Sequence, residues 1–216
     1  MNFRSHKKYF ITGIDTGVGK TVVTGLIAKR LKRSGVLAIT QKLAQTGCKG
    51  ISEDILKHRQ IAETDILEED RDFTTCPYVF EYPASPHLSA ELEGKTIDIS
   101  LINANTAKLL ENYEVVLIEG AGGLFVPITR DYFTINYIVD QKLPVILVTT
   151  PKLGSINHTL LTLNACIARN IEVSALVYNQ YLASPIEITN DSKSIFKKYL
   201  SENLPNTEFI EMEELY

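Results

Sequence analysis

The sequence contains no CxxC pair, no internal repeat, no low-complexity tract and no apolar run as long as a membrane-spanning helix. Each absence excludes something. Its three cysteines, Cys48, Cys76 and Cys166, are widely separated and odd in number, so neither a zinc site nor a disulfide framework is expected. Cys166 falls in an apolar helical pattern and reads as core, whereas Cys48 and Cys76 read as bystanders. The lack of a 20-residue apolar stretch argues against a membrane protein. No basic excess exists either: 22 Lys and Arg face 26 Asp and Glu, for a formal net charge of −4. A general nucleic-acid binder needs clustered cations to neutralise phosphates, so no nucleic-acid partner is expected. Residues 1–8 are polar and basic, and the apolar residues after them run directly into a glycine-rich loop. That pattern does not suit a secretory signal, and a cytoplasmic location is expected.

What is present is ordinary for a globular chain: 216 residues, 44% hydrophobic and 22% charged, enough for one domain with a substantial core. Tyr9, Phe10 and Ile11 lead into Gly13 as a first strand. Val23, Ile27 and Leu31 recur at helical spacing over Lys20 to Arg33, and Gly35 is placed to end that helix. Strands are expected at Val36–Thr40, Val115–Ile118, Val145–Val148 and Val173–Val177. Helices are expected at Asp54–Ala62, Leu101–Leu110, Ser155–Arg169 and Ile188–Leu200. Arg71–Ser89 carries Pro77, Pro83 and Pro86 with little periodicity and reads as a long loop, of the kind that is often functional. Continuous apolar runs suit strands buried on both faces. Alternating strands and helices therefore predict a single α/β domain, a parallel β-sheet flanked by helices on both faces.

The most specific feature is Gly13-Ile14-Asp15-Thr16-Gly17-Val18-Gly19-Lys20-Thr21, which follows a strand and opens a helix. In that context glycines let backbone N–H groups converge on phosphate oxygens, and the helix start adds partial positive charge. This predicts a phosphate loop of the P-loop NTPase type. Asp15, Thr16, Gly17, Val18, Gly19, Lys20 and Thr21 are its expected nucleotide-binding residues. Lys20 would reach the β- and γ-phosphates, and Thr21 would offer its hydroxyl to Mg²⁺. Five residues, not the usual four, separate Gly13 from Gly19. Further on, the Val115–Ile118 run ends in Glu119-Gly120-Ala121-Gly122-Gly123. An acid at the C-terminal end of a parallel strand faces the crevice where ligands bind, and beside a phosphate loop it can hold Mg²⁺.

Taken together, the motifs resemble those of the dethiobiotin synthetases. The elongated phosphate loop is similar to that family's, as is the Glu119–Gly123 segment. So are Pro83-Ala84-Ser85-Pro86-His87, Leu143–Val148 and Lys152-Leu153-Gly154-Ser155-Ile156-Asn157-His158, in the family's order and near its spacing. The resemblance implies an ATP- and Mg²⁺-dependent ligase, a homodimer with its active site at the subunit interface. Its substrates would be 7,8-diaminononanoate and CO₂, joined through a carbamate and its phosphoric anhydride into a cyclic urea. It implies catalytic roles for Lys20 and Lys42, and Mg²⁺ coordination by Thr21, Asp54 and Glu119. It further implies an adenine contact for Asn179 and substrate contacts for Thr46, Gly122, Gly154, Ser155, Ile156 and Asn157. The Gly154–Asn157 segment would come from the other subunit and bind the remote carboxylate. His87 receives no role.

The chain departs from that family at Gly17, where some members carry glutamate, and at Leu43, where proline is common. Beyond about Tyr181 the resemblance fades into an acidic end. The rival reading is a P-loop ATPase switch of the partitioning or positioning type. Such proteins carry an additional lysine early in the loop, and Ile14 to Thr16 has none. A GTPase is disfavoured because Asn179-Gln180-Tyr181-Leu182 lacks the lysine and aspartate of a guanine-binding string. A glutamine-dependent amidase would need a further domain with a nucleophilic cysteine, for which this length leaves no room.

Overall fold

The computed structural model describes residues 5–182 and 184–216. Its centre is a six-stranded sheet built from β1 (Lys8–Gly13), β2 (Ala38–Lys42), β5 (Val115–Glu119), β8 (Val145–Thr149), β9 (Val173–Tyr178) and β10 (Glu208–Glu211). The strand order is β10-β9-β8-β1-β5-β2, and every neighbouring pair is parallel. Parallel strands need crossovers, and here helices supply most of them: α1 (Lys20–Arg33), α5 (Ile99–Asn112), α6 (Thr134–Asp140), α7 (Ser155–Ala168) and α8 (Ile186–Asn203). This is the expected α/β architecture.

The pleat sends alternate residues of each strand to opposite sides, so the sheet has a core on each face. On one side Tyr9, Ile11, Leu117, Ile146 and Val177 pack against Val23, Ile27 and Leu31 of α1. On the other, Phe10, Ile118, Leu147 and Tyr178 pack with Ile102, Leu163 and Phe196 of α5, α7 and α8. The strands are apolar throughout because both faces are covered. Basic Arg30, Lys32 and Arg33 occupy the last turn of α1, where free carbonyls favour positive charge.

Several parts of the structure differ from the sequence reading or add to it. The second strand runs from Ala38 to Lys42, two residues later at each end than the expected Val36–Thr40, and Lys42 closes it. The segment expected as an uninterrupted loop from Arg71 to Ser89 contains β4 (Val79–Phe80), which pairs with β3 (Gln45–Thr46), and the start of α4 (Pro86–Leu92). Pro86 sits in the first turn of α4, where its missing N–H is not needed by the helix. The acidic end is ordered: β10 completes the sheet, and a 3₁₀ turn at Met212–Leu215 packs Met212 and Leu215 against the α1 side of the sheet. A short β6–β7 hairpin (Pro127–Thr129, Tyr132–Phe133) and α6 were likewise not anticipated. All three cysteines are free and buried. Burial pushes the Cys76 and Cys166 thiols up to about 12, which keeps them unreactive.

Candidate active site

The C-terminal ends of β1, β5 and β2 lie side by side at one rim of the sheet, and each delivers a chemical group there. β1 runs into the loop of residues 14–19 and then into α1. Gly19 is the residue before the helix, with φ 98°, and a Cβ there would stand 2.5 Å from Asn179 Nδ2. Only glycine fits this left-handed, crowded position. Gly17 is also left-handed, with φ 69°, but open space surrounds it.

Lys20 is buried in the first turn of α1 and donates from Nζ to the Asp15 carbonyl at 2.9 Å. Burial, then the neighbouring Lys42 charge, lowers its pKa to about 8. Phosphate oxygens in the loop would supply the opposite charge that this amine is short of, so the residues present suit a nucleotide polyphosphate.

Lys42 Nζ lies 2.5 Å from Asp54 Oδ2, 2.9 Å from Glu119 Oε1 and 3.1 Å from the Gly120 carbonyl. Burial opposes its charge, but the two carboxylates outweigh burial and hold its pKa above the ordinary lysine value. Burial likewise opposes ionisation of Glu119. Lys42 and His58 outweigh it and keep the carboxyl well below the usual range. Thr21 Oγ1 lies 3.0 Å from Asp54 Oδ1 and 3.1 Å from Glu119 Oε1, so that its one proton is shared between two carboxylate acceptors. Two carboxylates and a hydroxyl thus converge beside the phosphate loop. Among the described residues no cluster of three or more His, Cys, Asp or Glu forms an all-protein metal cage. The set that is present, hard oxygens with few carboxylates, suits Mg²⁺ sharing its ligands with phosphate.

Asp54 is placed by α2 (Glu53–Ala62). Ser52 caps that helix by accepting from Ile55 N, and Gln45 Oε1 accepts from both Ser52 Oγ and Asp54 N. One turn later on the same face, His58 contacts Glu119 Oε2 at 2.7 Å. The sequence reading did not nominate His58 or Gln45. Only the four-residue step from Asp54 to His58 hinted at a shared face.

Lys20, Thr21, Lys42, Asp54 and Glu119 all line one cavity of about 670 Å³. Thr16, Gly17, Gly19, Thr46 and Gly122 line it too, as do Pro83 to Pro86. The Asp15 side chain accepts from Thr16 N, tightening the loop, and the Val18 side chain is buried beneath it. Asn179 follows β9 and donates from Nδ2 to the Val18 carbonyl at 2.9 Å, tethering the loop to the neighbouring part of the sheet. Gly154, Ser155, Ile156 and Asn157 stand apart, at the start of α7, and do not line this cavity.

A glycine-rich loop leading from a central parallel strand into a helix, with an acid ending the adjacent strand, defines a P-loop nucleotide-binding α/β protein. A family profile described as an AAA domain matches residues 7–205. The solved structure of pNOB8 ParA superposes with a TM-score of 0.57 at 15% identity, covering 94% of this chain and 74% of that one, a likeness of fold alone. Sequence relatives are more specific. The ATP-dependent dethiobiotin synthetase BioD 2 of Pasteurella multocida is 49% identical over 203 residues, 94% of this chain and 95% of the relative. That of Haemophilus influenzae is 54% identical over 175 residues, 81% and 92% of the two chains. The BioD of Chlorobaculum tepidum is 50% identical over 185 residues, 86% and 77%. The chain belongs to the ATP-dependent dethiobiotin synthetases. Among the described residues no helix is long and apolar enough to cross a membrane.

Proposed function

We propose that this chain, as one catalytic domain, closes the ureido ring of dethiobiotin from 7,8-diaminononanoate, CO₂ and ATP. The observation that carries the reading is the meeting of Lys20, Thr21, Lys42, Asp54 and Glu119 around one cavity under the phosphate loop. The diamine first captures CO₂ as a carbamate on one amine. Carbamate is a poor electrophile because its charge is delocalised. Its oxygen attacks the γ-phosphorus of ATP, the bond to the bridging oxygen breaks, and ADP leaves with that electron pair. The second amine then attacks the activated carbonyl carbon, inorganic phosphate departs, and the ring closes with loss of a proton.

This chemistry asks the protein for charge neutralisation and alignment more than for covalent help. Lys20 follows the γ-phosphoryl group as its charge shifts. Lys42, at the boundary between loop and carboxylates, neutralises carbamate and incoming phosphate. Thr21, Asp54 and Glu119 would hold Mg²⁺, which would offset the charge of the phosphates. Thr46 and Gly122 line the cavity and would contact the substrate, and Asn179, bonded to the loop at the Val18 carbonyl, would contact the adenine. Gly154, Ser155, Ile156 and Asn157, remote from this cavity, would bind the substrate carboxylate in a partner's site, which makes the working unit a homodimer. A helix start such as that of α7 suits a carboxylate.

The test is incubation with Mg·ATP, bicarbonate and 7,8-diaminononanoate, following phosphate release and product mass together. One dethiobiotin per ADP is expected. Phosphate released equally without the diamine would overturn the reading in favour of a nucleotide-driven switch.

A further inference from the structure

We infer that His58 is a positioning residue that fixes the rotation of the Glu119 carboxylate, leaving one oxygen aimed into the cavity. The inference rests on the reading of Glu119 as a Mg²⁺ ligand and adds the residue that orients it.

The geometry divides the two oxygens of Glu119 cleanly. Oε1 faces the cavity, where Lys42 Nζ and Thr21 Oγ1 reach it at 2.9 and 3.1 Å. Oε2 faces away and meets His58 Nε2 at 2.7 Å. Both side chains are fully buried, so water does not compete for this bond. Donation from Nε2 leaves Nδ1 as the remaining ring nitrogen, and Nδ1 is buried with no hydrogen-bond partner among the described residues. A polar ring held in the interior by one bond, at the expense of its other nitrogen, is poorly explained as filler, since an apolar side chain would leave no ring nitrogen unpaired.

Placement supports the same role. Asp54 and His58 are one turn apart on α2, so the helix that presents one proposed Mg²⁺ ligand also clamps the other. A carboxylate on a strand end is otherwise free to turn about its last torsion, which is broad. Tying Oε2 removes that freedom and keeps the separation between the Glu119 and Asp54 oxygens fixed before a cation arrives. Outer partners of this kind set metal affinity even though they never touch the metal.

The test compares His58→Gln with His58→Met in the full-length protein. Both replacements place their terminal group at the reach of Nε2, but only Gln donates a hydrogen bond. The readouts are calorimetric Mg²⁺ titration of the ADP-saturated protein, the Mg²⁺ concentration giving half-maximal turnover, and the melting temperature without ligands. His58→Met is expected to weaken Mg²⁺ binding about tenfold or more, and His58→Gln to return it to within about threefold of wild type. Equal Mg²⁺ affinities in the two variants, with equal melting temperatures, would overturn the proposal and leave His58 a packing residue. Should His58→Met not fold, His58→Asn takes its place, because its amide stops at the position of Nδ1; it should behave as the non-donor. Glu119→Gln separates the two layers of the reading. If it weakens Mg²⁺ binding while His58→Met and His58→Gln bind alike, only the positioning role fails. If Glu119→Gln binds Mg²⁺ as wild type does, the metal role of Glu119 fails and the positioning role with it.

Discussion

At the scale of single residues, the two buried lysines are built differently and should fail differently. Lys20 is engaged by one backbone carbonyl, whereas Lys42 holds two carboxylates together. Lys20→Ala is expected to abolish turnover with little change in melting temperature, because the amine it removes is one that burial already disfavours. Lys42→Ala should abolish turnover and also cost about 3 kcal/mol of stability, since it leaves Asp54 and Glu119 facing each other uncompensated. Turnover and chemical denaturation on the same preparations check both; near-normal activity in Lys42→Ala would remove it from the mechanism. Gly19→Ala tests the loop itself. Its left-handed backbone and the 2.5 Å approach to Asn179 predict a loss of about 1–3 kcal/mol and of nucleotide binding. Gly19 and Lys20 were legible in the sequence because the phosphate loop is a contiguous pattern, and Lys42 and Asp54 only through the family resemblance. His58 was not, because its partner lies 61 positions away and no local spacing announces the pair.

At the scale of elements, the buried ion pair between α2 and the short helix α3 (Glu68–Arg71) governs how α2 is seated. The Arg59 guanidinium forks onto Asp70 with bonds of 2.8 and 2.9 Å and reaches Thr40 on β2 at 3.0 Å. Burial opposes the Asp70 charge, but the Arg59 fork, the Leu67 N–H and the Thr75 hydroxyl outweigh it and hold the carboxyl below its ordinary value of 3.8. A carboxyl depressed in the folded state contributes stability that is complete above the unfolded value and is lost as pH falls through the folded one. Asp70→Asn should therefore cost about 3 kcal/mol at neutral pH, with the gap from wild type narrowing only below about pH 4. Urea midpoints measured from pH 7 down to pH 3 would show it; a gap independent of pH would refute the electrostatic cause. The strands were readable because burial on both faces makes them continuous apolar runs. β10 was not, since Glu208-Phe209-Ile210-Glu211 is an edge strand with a single fully buried side chain, and its acidic ends resemble a solvated tail. The short helix α4 escaped because its opening proline reads equally well as loop.

At the scale of the molecule, the C-terminal segment is structural. Ile210, Met212 and Leu215 enter the core on the α1 side, and Arg30 and Arg33 donate to the Glu214 and Tyr216 carbonyls. Ending the chain at residue 206 should cost roughly 5 kcal/mol from lost apolar burial, and it would expose β9 as a sheet edge. Circular dichroism melting and solubility would register both effects. The proposed homodimer has its own test: mixing the inactive Lys20→Ala protein with an inactive variant at Ser155 and Asn157 should regain activity that neither possesses, and no recovery would argue for sites complete within one chain. The strand order carries a last consequence, for synthesis of the chain. β1 and β2 are made early, yet the strand that must lie between them is β5. Thr21 waits 98 positions for Glu119, so the phosphate loop is complete in sequence long before its acidic neighbour exists. A growing chain therefore carries two open apolar strand edges over the 77 residues from Lys42 to Glu119. Nucleotide binding that depends on Glu119 would come only after β5 has been made.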